Sequence, residues 1–178
     1  MPERPLCIIP ARGGSKRFPR KNLALLAGRP MLAYAIEAAL TSGVFDRVCV
    51  SSEDTEILSA ARKYGAEAVL RPPDLATDTA QVKQVCEYLL KMFASQGERY
   101  DDFAVLLVTN PFRTAQDIVA AYEVFKREDA NYLMSLVPYS HPPQRAVWVS
   151  GKYVKPYFGL EYIKQTQLME TLYRHDGS

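Results

Sequence analysis

Five cations, Arg12, Lys16, Arg17, Arg20 and Lys21, crowd one short stretch, and no carboxylate lies between Arg12 and Lys21. Gly13 and Gly14 stand among them, and Pro10 and Pro19 flank them. Glycine lets the backbone turn sharply and approach a ligand closely, so that several N–H groups converge on one anion. Cations beside such amides suit a polyphosphate. The Walker spacing of glycine, four residues and Gly-Lys-Ser/Thr is absent, as is G-x-G-x-x-G. That disfavours a simple ATPase or a dehydrogenase.

Two further segments carry polar groups of the right kind. Arg71-Pro72-Pro73-Asp74-Leu75-Ala76-Thr77-Asp78-Thr79-Ala80 is a loop stiffened by its prolines, and Thr109-Asn110-Pro111-Phe112-Arg113-Thr114 follows a strongly apolar run. On the residues alone Asp78 and Thr79 read as helix caps, with Thr77 to Thr79 offering oxygens to the next helix. The only histidines, His141 and His175, stand far apart and give poor support to a metal pair or a catalytic dyad.

These segments need a scaffold that brings them together. Leu6 to Ile9 reads as a short buried strand, Asp46 to Ser51 as a second and Ala68 to Leu70 as the start of a third. Between them, Leu32 to Leu40 has helical spacing, with Pro30 near its start and Gly43 near its end. Ser52 could cap another helix carrying Ile57, Leu58 and Ala61, with Glu53 and Asp54 in its first turn and Gly65 after it. A helix with Val82, Val85, Leu89 and Met92 inward comes next, then Phe103 to Val108 as a central strand, Ala115 to Lys126 as an amphipathic helix and Tyr132 to Val137 as a further strand.

Alternation of strand and helix implies right-handed crossovers and an α/β fold, a Rossmann-like, mainly parallel sheet with helices on both faces. In such sheets ligands bind at the carboxyl edge of the strands, where all three polar segments should meet. The expected division is a nucleotide-binding domain over 1–137 and a smaller segment over 138–178. In the latter, Val147 to Val149 and Tyr153-Val154 read as a hairpin across Ser150-Gly151, and the aromatics Tyr153, Tyr157, Phe158 and Tyr162 suit a local lid core or an interface.

With 178 residues, 48 % hydrophobic and 24 % charged, the chain has the composition of an ordinary globular domain. A net charge of +2 is too small to argue for nucleic acid, and the local charge suits a small anion better than a duplex. No apolar run approaches the ~20 residues of a membrane span, and the start does not read as a signal peptide. Cys7, Cys49 and Cys86 form neither an even set nor a metal-binding spacing. Buried reduced thiols in a cytoplasmic protein are the expectation.

Ile9-Pro10-Ala11-Arg12-Gly13-Gly14-Ser15-Lys16, followed by Lys21-Asn22, closely resembles the opening signature of the acylneuraminate cytidylyltransferases, also called CMP-N-acetylneuraminate synthetases. The related Kdo enzymes share the opening but usually carry Lys-Pro at the second element, which favours the sialic-acid branch. Arg71-Pro72 with Asp78-Thr79-Ala80 looks like the family's base-contacting loop. Thr109 to Arg113 looks like its Thr-Ser-Pro-Leu-Arg turn, and Tyr173-Arg174-His175-Asp176-Gly177 resembles its aromatic-Arg-Pro-Asn-Gly segment.

The resemblance implies transfer of CMP from CTP to the anomeric hydroxyl of a sialic-acid-like 2-keto sugar, N-acetylneuraminic, legionaminic or pseudaminic acid, with release of pyrophosphate. It implies a nucleotide site of Ala11, Arg12, Gly13, Gly14, Ser15, Lys16, Lys21, Asn22, Arg71, Asp78, Thr79 and Ala80, with Lys21 and Arg12 as the catalytic cations. Thr109, Asn110, Arg113 and Arg174 would face the sugar. Mg2+ is the implied cofactor, its ligands unassigned, and a homodimer the implied assembly, with no nucleic acid and no membrane. Alternatives are an inactive CTP-binding form and a Kdo-type or other sugar nucleotidyltransferase. Departures from the pattern are Leu107-Val108, where many such enzymes have Gln-Pro, and Val82, where a base-contacting serine sometimes stands. Similar enzymes continue past the Arg174 segment to an Asp-x-Asp pair for magnesium, so the chain is expected to stop short of the family's last elements.

Overall fold

The computed structural model of the chain describes residues 4–14 and 18–176. They form two compact units, one over 4–133 and one over Met134–Asp176. In the first, β1 (Leu6–Pro10) runs into the cationic turn, and β2 (Leu25–Leu26) and β3 (Arg29–Pro30) make a small antiparallel ladder. Ala27 and Gly28 join β2 to β3 at φ of 48° and 80°, the paired left-handed residues of a tight hairpin. Next come α1 (Met31–Ser42), β4 (Arg47–Ser52), α2 (Thr55–Lys63), β5 (Glu67–Leu70), α3 (Val82–Ser95), β6 (Phe103–Val105) and α4 (Ala115–Arg127). The second unit holds β7 (Leu136–Pro138), β8 (Val147–Ser150), β9 (Tyr153–Pro156) and β10 (Tyr173–His175).

The main sheet has the order β5-β4-β1-β6, all parallel, with Ile9 opposite Val50 and Ile8 opposite Val105. Side chains alternate across each strand. Cys7, Ile9, Val48 and Val50 therefore pack on one face with Leu32 and Ile36 of α1, Ile57 and Ala61 of α2 and Ile118 of α4. Leu6, Ile8 and Cys49 pack on the other with Val85, Leu89 and Phe93 of α3. This is the expected Rossmann-like arrangement, with helices on both faces. Removing the fully buried Phe93 ring would cost about 3–5 kcal/mol, transfer and cavity terms together.

Local details correct the sequence reading at several points. The run Phe103 to Val108, expected to be central, makes a short strand at one edge of the sheet: β6 ends at Val105, although Leu106 N still donates to Ile8 O at 3.0 Å. In place of a strand over Tyr132 to Val137, pairing is confined to β7, which joins β10 in antiparallel fashion within the second unit. Ser52 does not cap α2, because it is buried within β4, opposite Leu70, and its Oγ accepts from Asp54 N at 3.1 Å. Asp54 is the cap, its Oδ1 accepting from Glu56 N and Ile57 N at 2.8 and 3.3 Å.

The cap of α3 is likewise Gln81 and not a residue of Thr77 to Thr79, with Gln84 Oε1 accepting from Gln81 N at 2.8 Å. Val82, expected inward, is exposed in the first turn of that helix, and the buried stripe is Val85, Cys86, Leu89 and Phe93. Burial of the three free cysteines agrees with expectation.

The second unit divides from the first just ahead of the expected boundary after residue 137. Its hairpin β8–β9 is the expected one, turning at Gly151 with φ of 60°.

Candidate active site

Parallel strands deliver their carboxyl ends to one edge. Pro10 at the end of β1 pairs with Ser51, and Ala11 N donates to Ser51 O at 3.0 Å. Arg71, just past β5, donates its N–H to Ser52 O at 3.0 Å. The residues after β1, β4, β5 and β6 therefore stand side by side, as the fold class requires. Within the first unit this gathers Ala11 to Gly14, Ser51 to Asp54 and the Arg71 to Ala80 loop, while Thr109 to Arg113 follows β6 in sequence.

The first turn is held by its own side chains. Asn22, nearly buried in the short helical turn Lys21–Leu23, donates from Nδ2 to Arg12 O at 2.7 Å. Arg20 precedes that turn in the left-handed region, φ 53°, and its carbonyl accepts from Leu23 N and Ala24 N at 2.9 and 3.0 Å. Lys21 is half-buried at the head of this turn. Gly13 is required by space, because a Cβ there would stand 2.5 Å from Asp54 Oδ2 and 3.0 Å from Asp54 Cβ. No such crowding exists at Gly14. Ser15 and Lys16, both expected to hold the nucleotide, lie outside the described residues.

Arg12 joins the first turn to the second loop: Nη1 donates to Asp78 Oδ1 at 2.9 Å and to Thr77 O at 3.2 Å. Thr77 and Thr79 share a hydroxyl contact at 3.2 Å, and Ala80 N donates to Thr77 O at 3.3 Å. Arg71, in contrast, is only 5 % exposed. Its Nη1 donates to Leu75 O at 3.2 Å and its Nη2 to Ser51 O. Burial pulls its pKa below the usual arginine value, the Glu53 carboxylate opposes that shift and the Arg12 charge adds to it.

In the third segment Arg113 Nη2 donates to Leu107 O at 3.3 Å, Phe112 is exposed, and Thr114 and Asp117 cap α4 reciprocally. Arg174 lies on β10 in the second unit, opposite Val137.

One participant was missed by the sequence reading. Glu53, taken there for a favourable charge at a helix start, accepts from Gly13 N with Oε1 at 2.8 Å, while its Oε2 stands 3.9 Å from Arg71 Nε. The available signal was its place directly after a strand, at the edge where ligands bind. Among the described residues no three histidine, cysteine, aspartate or glutamate side chains gather to hold a metal ion. The described residues thus make no ready-made magnesium cage. No helix among them is long and apolar enough to cross a membrane.

The chain is similar to proteins already known. The chain is 41 % identical over 146 residues to a pseudaminic acid cytidylyltransferase of Campylobacter jejuni, which covers 82 % of this chain and 63 % of that protein. It is 40 % identical over 154 residues to a CMP-N,N'-diacetyllegionaminic acid synthase of Legionella pneumophila, with 85 % and 66 % covered. The chain thus spans less than two thirds of the length of these curated relatives. Its fold matches a solved CMP:2-keto-3-deoxy-manno-octonic acid synthetase complexed with CTP at a TM-score of 0.67 and 19 % identity, over 98 % of this chain and 72 % of that one. The family model described as Cytidylyltransferase matches residues 6–175, and the chain belongs to that family.

Proposed function

We propose that this chain transfers CMP from CTP to the anomeric hydroxyl of a nonulosonic acid, releasing pyrophosphate. The sugar is of the pseudaminic, legionaminic or N-acylneuraminic kind. The observation that carries this reading is the 41 % identity to a pseudaminic acid cytidylyltransferase, in a chain whose Arg12 turn and Arg71 loop share one sheet edge.

In this reading Arg12, Ser15, Lys16, Lys21 and Asn22 hold the triphosphate and ribose, together with the backbone from Ala11 to Gly14. The sugar oxygen forms its bond to the α-phosphorus as the bond to pyrophosphate breaks, and the hydroxyl proton passes to solvent. Negative charge builds on the phosphate oxygens during that exchange, and Lys21 and Arg12 offset it. Arg71 and the backbone near Ala80 read the base, with Asp78 and Thr79 shaping that loop. Thr109, Asn110 and Arg113 face the sugar, arginine being suited to a sugar carboxylate.

The reading extends to a homodimer. Trp148, Val149, Tyr153, Val154, Tyr157 and Leu160 are all exposed on or beside the β8–β9 hairpin, and no described residue of the second unit is fully buried. A hairpin alone is marginal in water, and a second copy of the chain covers this apolar surface. Sedimentation equilibrium showing only monomer at micromolar protein would contradict it. A reducing, cytoplasmic setting suits the three buried free thiols.

Pyrophosphate release with a panel of nucleoside triphosphates and 2-keto sugars tests the whole. Release is expected with CTP and a nonulosonic acid. Release with GTP but not CTP, or with Kdo alone, would overturn the base or the sugar assignment.

A further inference from the structure

Three buried polar atoms without a hydrogen-bond partner among the described residues fall together at the end of β4: Ser51 Oγ, Glu53 Oε2 and Arg71 Nε. Buried polar atoms are almost always paired, so such a group calls for a reason. Two of the three are complementary, since Glu53 Oε2 accepts, Arg71 Nε–H donates, and they face each other at 3.9 Å. The other carboxylate oxygen of Glu53 already holds Gly13 N–H at 2.8 Å. One carboxylate therefore touches the glycine turn at one end and addresses a nearly buried guanidinium at the other.

The guanidinium has five donors in a rigid plane. Nη1 and Nη2 each commit one N–H, to Leu75 O and Ser51 O, and Nε lies 3.9 Å from Glu53 Oε2. One N–H is left on each of Nη1 and Nη2, in the plane that the bonds to Leu75 O and Ser51 O hold. A donor pair held in one plane suits the adjacent N3 and O2 acceptors of cytosine. Uracil carries a hydrogen at N3, so it meets the same pair with a donor against a donor. We infer that Glu53 is a positioning residue for nucleotide specificity, orienting Arg71 toward the base and tying that orientation to the Gly13 turn. The inference rests on the cytidylyltransferase reading, and Glu53 itself need not touch the nucleotide.

Glutamine cannot replace it. Whichever way the amide turns, its NH2 meets either Gly13 N–H or Arg71 Nε–H. The shorter and firmer contact is with Gly13, so Glu53→Gln keeps the turn and sets a donor against Arg71. Glu53→Asp keeps a carboxylate charge for Arg71 but, one methylene shorter, cannot span both partners.

The test is calorimetric titration of the intact wild-type, Glu53→Gln and Glu53→Asp chains with CTP, UTP and inorganic tripolyphosphate, beside thermal melts. Glu53→Gln should weaken CTP at least tenfold, bring the CTP-over-UTP preference close to unity and leave tripolyphosphate within threefold of wild type. Glu53→Asp should recover the preference to within threefold while weakening tripolyphosphate. Equal losses of CTP and tripolyphosphate in Glu53→Gln, unchanged CTP binding there, or an aspartate variant as undiscriminating as the glutamine one would overturn the inference. Failure of the wild-type chain to bind CTP would instead overturn the cytidylyltransferase reading beneath it.

Discussion

The guanidinium of Arg12 lies 2.9 Å from the carboxylate of Asp78, linking the turn after β1 to the loop after β5. Both side chains are partly open to solvent, at 37 % and 46 % exposure, so the pair contributes at most about 1 kcal/mol to stability. In the proposed reading Arg12 is a cation for the triphosphate, and Asp78 competes for it. Arg12→Ala is expected to weaken CTP at least tenfold, about 1.4 kcal/mol, with little change in melting temperature. Asp78→Asn removes the competing anion and should leave CTP affinity equal or higher. Calorimetric titration beside thermal melts checks both. A CTP affinity unchanged in Arg12→Ala would remove this cation from the site.

The two glycines of the turn should behave differently. At Gly13 an added Cβ runs into Asp54, which cannot step aside without loosening its hold on Glu56 N and Ile57 N. Gly13→Ala is therefore expected to lose about 1 kcal/mol or more, the worth of a helix cap, and to weaken CTP with it. Gly14→Ala meets no atom within 4 Å and should melt like wild type. Chemical denaturation of the two variants decides this, and equal stabilities would contradict the crowding at Gly13.

Lys21 follows the left-handed Arg20 and opens a turn locked to Arg12 through Asn22. Lys21→Ala should lower kcat for pyrophosphate release by roughly 10²–10³-fold, the usual effect of removing one electrostatic stabiliser. The melting temperature should hold. Near-normal turnover would take the catalytic role away from Lys21.

Alkaline pH should loosen the core. Burial pushes the Cys49 thiol up to about 12 and the Cys86 thiol up to about 11, whereas an unfolded thiol ionises near 8.5. Above that pH the unfolded chain binds fewer protons than the folded one, so stability falls as pH rises. The loss begins near the unfolded value and continues toward about 11 to 12. Melting temperatures measured across this window should decline less steeply in a Cys49→Ala, Cys86→Ala double variant. Identical slopes would show that these thiols do not carry the effect.

The sheet edge that carries the candidate site was legible in the sequence, because the chemistry and the chain direction coincide. An apolar strand breaking into glycines and cations announces the turn of Ala11 to Gly14, and strand–helix alternation sends the Arg71 loop to the same edge. What escaped was long-range. Ser52 has the chemistry of a cap, but the sheet claims it and Asp54 caps in its place. Asp78 likewise turns to Arg12 and leaves α3 to Gln81. Glu53 reads locally as a helix-start charge, yet its partners, Gly13 and Arg71, lie far away in sequence. The apolar run Phe103 to Val108 looks central by composition, whereas its place at the edge depends on which strands pair with it, and no local pattern records that.

The most direct test of the account is a titration of the isotopically labelled chain with CTP, followed through backbone amide resonances. Saturable shifts at Gly13, Gly14, Asn22 and Arg71 are predicted, with GTP producing much smaller ones at Arg71. Amides of the turn after β1 that stay unmoved at millimolar CTP, in a protein that still melts cooperatively, would contradict the claim that this turn holds the nucleotide.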